Sequence, residues 1–63
     1  MEYTEEHPDP NTLIRYYTGE KHEVEAMVQA QHDVIVLIEL GWQRAGWCWT
    51  PETETLEVVY HRS

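Results

Sequence analysis

The chain has 63 residues with 12 acidic and four basic side chains, which gives a formal net charge of −8. This length allows one small domain, which buries only about 60% of the surface its unfolded chain would expose. A multi-domain enzyme is excluded, and a deep enclosed substrate pocket is disfavoured. The single cysteine, Cys48, excludes an internal disulfide framework and is too few for a zinc site built on cysteines. Oligomerisation is then the remaining common way to stabilise so small a core.

The charge balance also restricts the partners. The four basic residues are scattered along the chain, so we expect no binding to DNA or RNA and none to an anionic membrane; they are Arg15, Lys21, Arg44 and Arg62. The start has no basic segment followed by an apolar one, and the apolar run from Val34 to Ile38 is far shorter than a membrane span. We expect a cytoplasmic protein, and no residue pattern points to a cofactor.

Residues 1–11 carry four acids and two prolines and show no apolar periodicity. Such a segment lacks the apolar surface that would offset its loss of entropy on ordering. It is therefore predicted to be a disordered acidic arm, outside a single domain formed by residues 12–63.

The next segment, Thr12 to Tyr17, is rich in β-branched and aromatic residues and ends at Thr18-Gly19, which is typical of a short strand. Apolar residues then recur at spacings of three, four and seven, which predicts a helix from about Glu20 to Leu40 that begins near a Thr18 cap. The residues of this periodic set are Val24, Met27, Val28, Val34, Ile35 and Ile38. Gly41 is suited to end the helix.

The end of this segment allows a second interpretation. The segment from Val34 to Leu40 is rich in β-branched residues, which also favours a buried strand after a helix that ends near His32. If the helix is continuous, Val36, Leu37 and Leu40 lie off its main apolar side and need a second surface to cover them.

Two further strands are predicted after Gly41. They are Trp42 to Thr50 and Thr55 to Arg62, which flank a polar turn that begins at Pro51. In the first of them, Ala45, Trp47 and Trp49 would share one face. The predicted fold class is α+β with the order β-α-β-β, in which one helix packs on a three-stranded sheet. The crossover is expected to be right-handed if the first two strands are parallel.

A short motif accompanies this order. Thr18-Gly19, then a helix, then Gly41-Trp42 with Gly46 four residues further on, resembles the small uncharacterised bacterial β-α-β-β domains with a Thr-Gly, helix, Gly-Trp-x-x-x-Gly pattern. The resemblance covers Leu13 to about Arg62. It implies the fold and no chemistry, because no activity is established for that group. Trp47 and Trp49 depart from its pattern, and so does a helix that is a few residues longer.

Tryptophan is the most unusual component of the composition, because the chain has three tryptophans and no phenylalanine. Trp42, at the junction of helix and strand, is expected to close the end of the core. One helix covers one sheet face, so if Gly46 and Cys48 face the helix, the other face is apolar and uncovered. The sequence thus predicts a non-enzymatic module that forms a homodimer or a higher oligomer through that face or the helix end, with these interface residues: Trp47, Trp49, Leu56, Val58, Tyr60, Val36, Leu37 and Leu40.

The acidic residues suggest a second hypothesis. Carboxylates can mimic a nucleic-acid backbone and occupy a basic groove on a host protein, as in an inhibitor encoded by a phage or mobile element. The acidic partner surface is predicted at Glu20, Glu23, Glu25, Glu52, Glu54 and Glu57. Ordinary solvation of an acidic surface explains the same residues.

Metal and nucleophile chemistry have weaker support. The four histidines are not paired at helical spacing, so they are interpreted as surface residues and no metal site is predicted; they are His7, His22, His32 and His61. Cys48 and His61 share a strand face if the last two strands pair in register, which would allow a thiol and a base. An inert thiol is the commoner outcome.

Overall fold

The computed structural model describes residues 2–62 and the side chains of residues 3–62. These residues form four strands and one helix, so the predicted α+β class is confirmed and the predicted strand count is wrong by one. The elements are β1 (Glu2–Asp9), β2 (Thr12–Thr18), α1 (Glu23–Glu39), β3 (Gln43–Thr50) and β4 (Thr55–His61).

The strands form one sheet in the order β1-β2-β4-β3, and each neighbouring pair is antiparallel. Because β4 is antiparallel to both of its neighbours, β2 and β3 run parallel to each other on either side of it. The helix α1 connects those two strands. The predicted β-α-β-β order is therefore present, preceded by one further strand.

That further strand, β1, replaces the predicted disordered arm over residues 2–9; Met1 lies outside the described residues. The arm orders because its backbone pairs with the edge of β2 and its side chains find partners there. Glu5 accepts a hydrogen bond of 2.7 Å from Arg15 Nε, and the Arg15 guanidinium lies 4.5 Å from the centre of the Tyr3 ring. Composition alone does not predict this strand, because acids and prolines are unusual in strands.

The helix α1 is continuous through Val34 to Glu39, so the alternative of a strand there is wrong. It begins at Glu23 with His22 as its N-cap residue, and Thr18 belongs to β2 instead of capping the helix. It ends at a glycine in the left-handed region: Gly41 has φ +95°, Gly41 N–H donates to Ile38 O at 3.0 Å, and Trp42 N–H donates to Leu37 O at 3.0 Å. This pair of bonds is a Schellman motif, as the glycine predicted.

The core lies between α1 and one face of the sheet. Two alanines and a leucine of the helix cover tyrosine and aliphatic side chains of β2 and β4, and Trp42 closes one end, as expected. The buried set is Leu13, Tyr17, Ala26, Ala30, Leu37, Trp42, Leu56, Val58 and Tyr60.

A bulge in β3 decides which tryptophans face the helix. The pairing of β3 with β4 shifts between Arg44 and Gly46, so Ala45 is an extra residue. Trp47 then lies opposite Val58, and Gly46 lies opposite Val59. Residues directly opposite in an antiparallel pair share a face. Trp47 and Trp49 therefore lie on the helix side. Gly46 and Cys48 do not face the helix, so the condition for an uncovered apolar sheet face is not met.

Candidate interaction surface

The inner and outer sides of α1 are both apolar. The inner side consists of Ala26, Ala30 and Leu37, each at most 5% exposed. Alanine at two consecutive turns allows the helix to lie close to the large side chains beneath it. The sequence interpretation placed larger residues at this contact, and it was wrong because it left alanine out of the apolar periodicity.

The larger residues lie on the outside. Val24, Val28, Ile35 and Ile38 are 72%, 62%, 54% and 53% exposed, and Gln31 lies between the two pairs and is also exposed. Their spacings of four, three, four and three put all five on one side of a helix. We call these five residues the outer stripe. Along nearly the whole of α1, it is an apolar helix face that no other part of residues 3–62 covers.

An open groove runs beside the outer stripe, with a volume of about 450 Å³. Its floor includes Met27 and Val34, which pack partly against the core. Arg44 of β3 lines the opposite side, and its guanidinium lies 4.8 Å from the centre of the Trp47 ring. The groove therefore joins the outer stripe to β3.

The predicted interface residues divide into two groups. Leu56, Val58 and Tyr60 are at most 1% exposed beneath α1, so the expected uncovered sheet face made of them is wrong. Leu56, Val58 and Tyr60 face inward because the residues that alternate with them in β4 are polar or smaller and lie on the open face of the sheet. Leu37 is likewise buried.

The remaining predicted interface residues are accessible to different degrees. Val36 and Leu40 are exposed near the end of α1, away from the outer stripe. Trp47 is 49% exposed, whereas Trp49 packs partly against the core. The sequence thus found part of an accessible apolar surface, and it missed the outer stripe because it assigned those residues to the core.

The predicted acidic residues mostly converge at one end of the molecule. Thr18, Thr50 and Thr55 are aligned across the sheet, so the start of the helical segment and the β3–β4 turn lie at the same end. That end carries Glu20, Glu23, Glu25, Glu52 and Glu54. Glu57 lies apart, on the open sheet face.

On that open face, Glu57 lies opposite both Tyr16 and Cys48. Partial burial raises the pKa of Tyr16 above its ordinary value, and the nearby carboxylates of Glu6 and Glu57 raise it further. Cys48 and His61 share this face, but Cys48 pairs with a residue four positions before His61, about 13 Å along the strand. His61 Nδ1 instead lies 3.2 Å from Thr12 Oγ1, so the two residues do not form a nucleophile–base pair.

A polar cluster on the helix side joins three elements. Arg15 Nη1 lies 3.3 Å from Asp33 Oδ2 of α1, and Tyr17 Oη donates to the same oxygen at 3.1 Å. With the Arg15–Glu5 bond, this links β1, β2 and α1. Burial raises the pKa of Tyr17 well above its usual range, although Arg15 opposes the shift. The cluster fastens elements of the fold together and was not predicted from the sequence.

Comparison with family models, curated proteins and solved structures gave no match, so the resemblance to β-α-β-β bacterial domains stays a prediction. Within residues 2–62, no helix is long and apolar enough to cross a membrane. The same residues contain no group of three or more histidine, cysteine or acidic side chains placed to hold a metal ion.

Proposed function

We propose that this protein is a non-enzymatic interaction module that self-associates through the outer stripe of α1. The observation that carries the proposal is the exposure of four β-branched residues at regular helical spacing on a 63-residue chain. Exposed contiguous apolar patches on small proteins mark interaction sites. The predicted sheet-face interface is replaced by a helix face.

The energy available suggests a weak dimer. The exposed parts of the four apolar side chains amount to about two and a half whole side chains per copy, and burying them in both copies contributes about 7–14 kcal/mol. Association costs about 4–15 kcal/mol in lost translational and rotational freedom. The two ranges overlap, and a dissociation constant between about 1 mM and about 1 µM corresponds to a surplus of about 4–8 kcal/mol of burial over this cost.

The test compares two variants that add the same charge to different sides of α1. Ile35→Glu places a carboxylate in the outer stripe, whereas Gln29→Glu places it at an exposed position outside the stripe. By sedimentation equilibrium from about 10 µM to about 1 mM, the wild type and Gln29→Glu should approach twice the monomer mass of 7.5 kDa. Ile35→Glu should associate at least about tenfold more weakly, because its carboxylate loses water on burial.

Far-UV circular dichroism of both variants provides the control for folding. A wild-type protein that stays monomeric over the whole range contradicts the proposal, as does equal association of the two variants. Raising the salt concentration should leave the dimer unchanged or strengthen it, because each copy carries a net charge of −8.

A second candidate function rests on the acidic end. Five of the six predicted partner-surface carboxylates lie at one end of the sheet, which favours a basic partner such as a nucleic-acid-binding protein. A variant with Glu23, Glu25, Glu52 and Glu54 changed to Gln should lose capture of basic proteins, and duplex DNA should compete with the wild type. A captured partner that stays bound in about 1 M salt, where charges are screened beyond about 3 Å, contradicts this function.

A further inference from the structure

The two edges of the sheet differ in how well they are protected from pairing with another strand. β1 carries four acids and Pro8 in the sequence EYTEEHPD. Charges and proline on an edge strand prevent it from pairing with another chain. β3, the other edge, has the sequence QRAGWCWT, in which Arg44 is the one charged residue and proline is absent. The edge of β3 therefore lacks the protection that β1 has, apart from the bulge at Ala45.

The helix lies beside this unprotected edge. α1 contacts β2, β3 and β4. The groove next to the outer stripe is lined on its far side by Arg44 of β3. The outer stripe and the edge of β3 therefore open on the same side of the molecule, and one partner can contact both.

We propose that a second copy of this chain occupies this side, with β3 pairing antiparallel to its counterpart across a two-fold axis. The two sheets then form one continuous sheet of eight strands, twice the four of each copy. The two α1 helices lie antiparallel and side by side on one face. This inference deepens the proposed self-association by naming the pairing that produces it.

The pattern of the outer stripe favours a second copy over another partner. A two-fold interface brings the same patch of each copy together, so the patch must complement itself. The outer stripe meets this condition, because Gln31 is flanked by two apolar residues on each side. The pattern of apolar and polar positions is therefore the same in either direction along the helix.

Strand pairing also adds to the free energy of association that the outer stripe provides. The contact between helices alone balances the cost of association closely. Hydrogen bonds along the edge add to it by pairing backbone groups that water otherwise satisfies. The bulge restricts this pairing to the regular part of β3 after Ala45, residues 47–50.

The test is amide hydrogen exchange measured by NMR at a concentration where the wild type is dimeric. The amides of residues 47–50 that point away from β4 should exchange at least about tenfold more slowly in the wild type than in Ile35→Glu. Gln29→Glu should keep the slow exchange. The amides of β1 that point away from β2 should exchange at equal rates in all three proteins, because that edge stays unpaired.

A mixture of isotope-labelled and unlabelled wild-type chains tests the direction of the helices. Contacts between the methyl groups of Val24 in one copy and Ile38 in the other support the antiparallel arrangement, and contacts between the two Val24 residues overturn it. A dimer whose β3 amides exchange rapidly overturns the strand pairing and leaves the proposed function standing. A protein that never dimerises overturns both.

Discussion

The inner and outer sides of α1 differ more in the size of their side chains than in their polarity. Ala26 and Ala30 face the sheet, whereas Val28 and Ile35 face water. In an isolated small domain the opposite is usual, with the larger apolar residues inside and polar residues outside. The difference shows that the core of this protein depends on close approach of the helix, and that apolar area remains beyond what one copy buries.

The largest expected effect on stability comes from comparing two adjacent residues that lie on opposite sides of α1. Leu37 is 5% exposed and Ile38 is 53% exposed. Leu37→Ala should cost about 2–5 kcal/mol, because it leaves a cavity in the core. A chain of 63 residues is expected to have about 3–9 kcal/mol in total, so this variant should lose a large part of its stability, and a wild type at the lower end of this range would make it unfold at 25 °C.

Ile38→Ala is the matched control. Urea unfolding at a concentration well below the dissociation constant should give a free energy of unfolding within about 0.5 kcal/mol of the wild type. Sedimentation equilibrium should show weaker association. If Ile38→Ala destabilises the monomer as much as Leu37→Ala does, the two sides of the helix are not divided as described.

The next largest effect is expected at alkaline pH, which should weaken the packing of α1 on the tyrosines beneath it. Burial raises the pKa values of Tyr17 and Tyr60, so the folded protein favours their neutral forms. Their contribution to stability is fully present below the unfolded pKa of about 10 and decreases as the pH rises through that value toward the folded pKa. The loss is at most about 1.4 kcal/mol per pH unit for each tyrosine.

Urea unfolding between about pH 8 and about pH 11 measures this loss. The control is the double variant Tyr17→Phe, Tyr60→Phe, which lacks both hydroxyls and should show a smaller decrease over the same range. Equal decreases in the wild type and the double variant would assign the alkaline sensitivity to other groups.

The sequence predicted the parts of this fold that local chemistry determines. The Thr12–Thr18 strand, the Gly41 helix end and the β3–β4 pair follow from residue preferences within a few positions. The strand β1 did not, because it depends on contacts of Glu5 and Tyr3 with Arg15, ten or more residues away. The outer stripe was missed for a related reason. Periodicity shows that a helix has an apolar side, but when a helix has two apolar sides it does not show which of them packs against the large side chains of the sheet.

The smallest effect comes from two tyrosine hydroxyls beneath the inner side of α1. Tyr17 Oη donates to Asp33 at 3.1 Å, whereas the buried Tyr60 hydroxyl has no hydrogen-bond partner within the described part of the chain. Tyr17→Phe should therefore cost about 1–2 kcal/mol, because it removes a bond to a carboxylate. Tyr60→Phe should be neutral or slightly stabilising, because it removes a buried polar group that is unpaired. Urea unfolding of both variants at neutral pH distinguishes the two hydroxyls. A loss of stability in Tyr60→Phe equal to that in Tyr17→Phe would mean that the Tyr60 hydroxyl does find a partner, and that the helix sits on a polar contact as well as on the alanines.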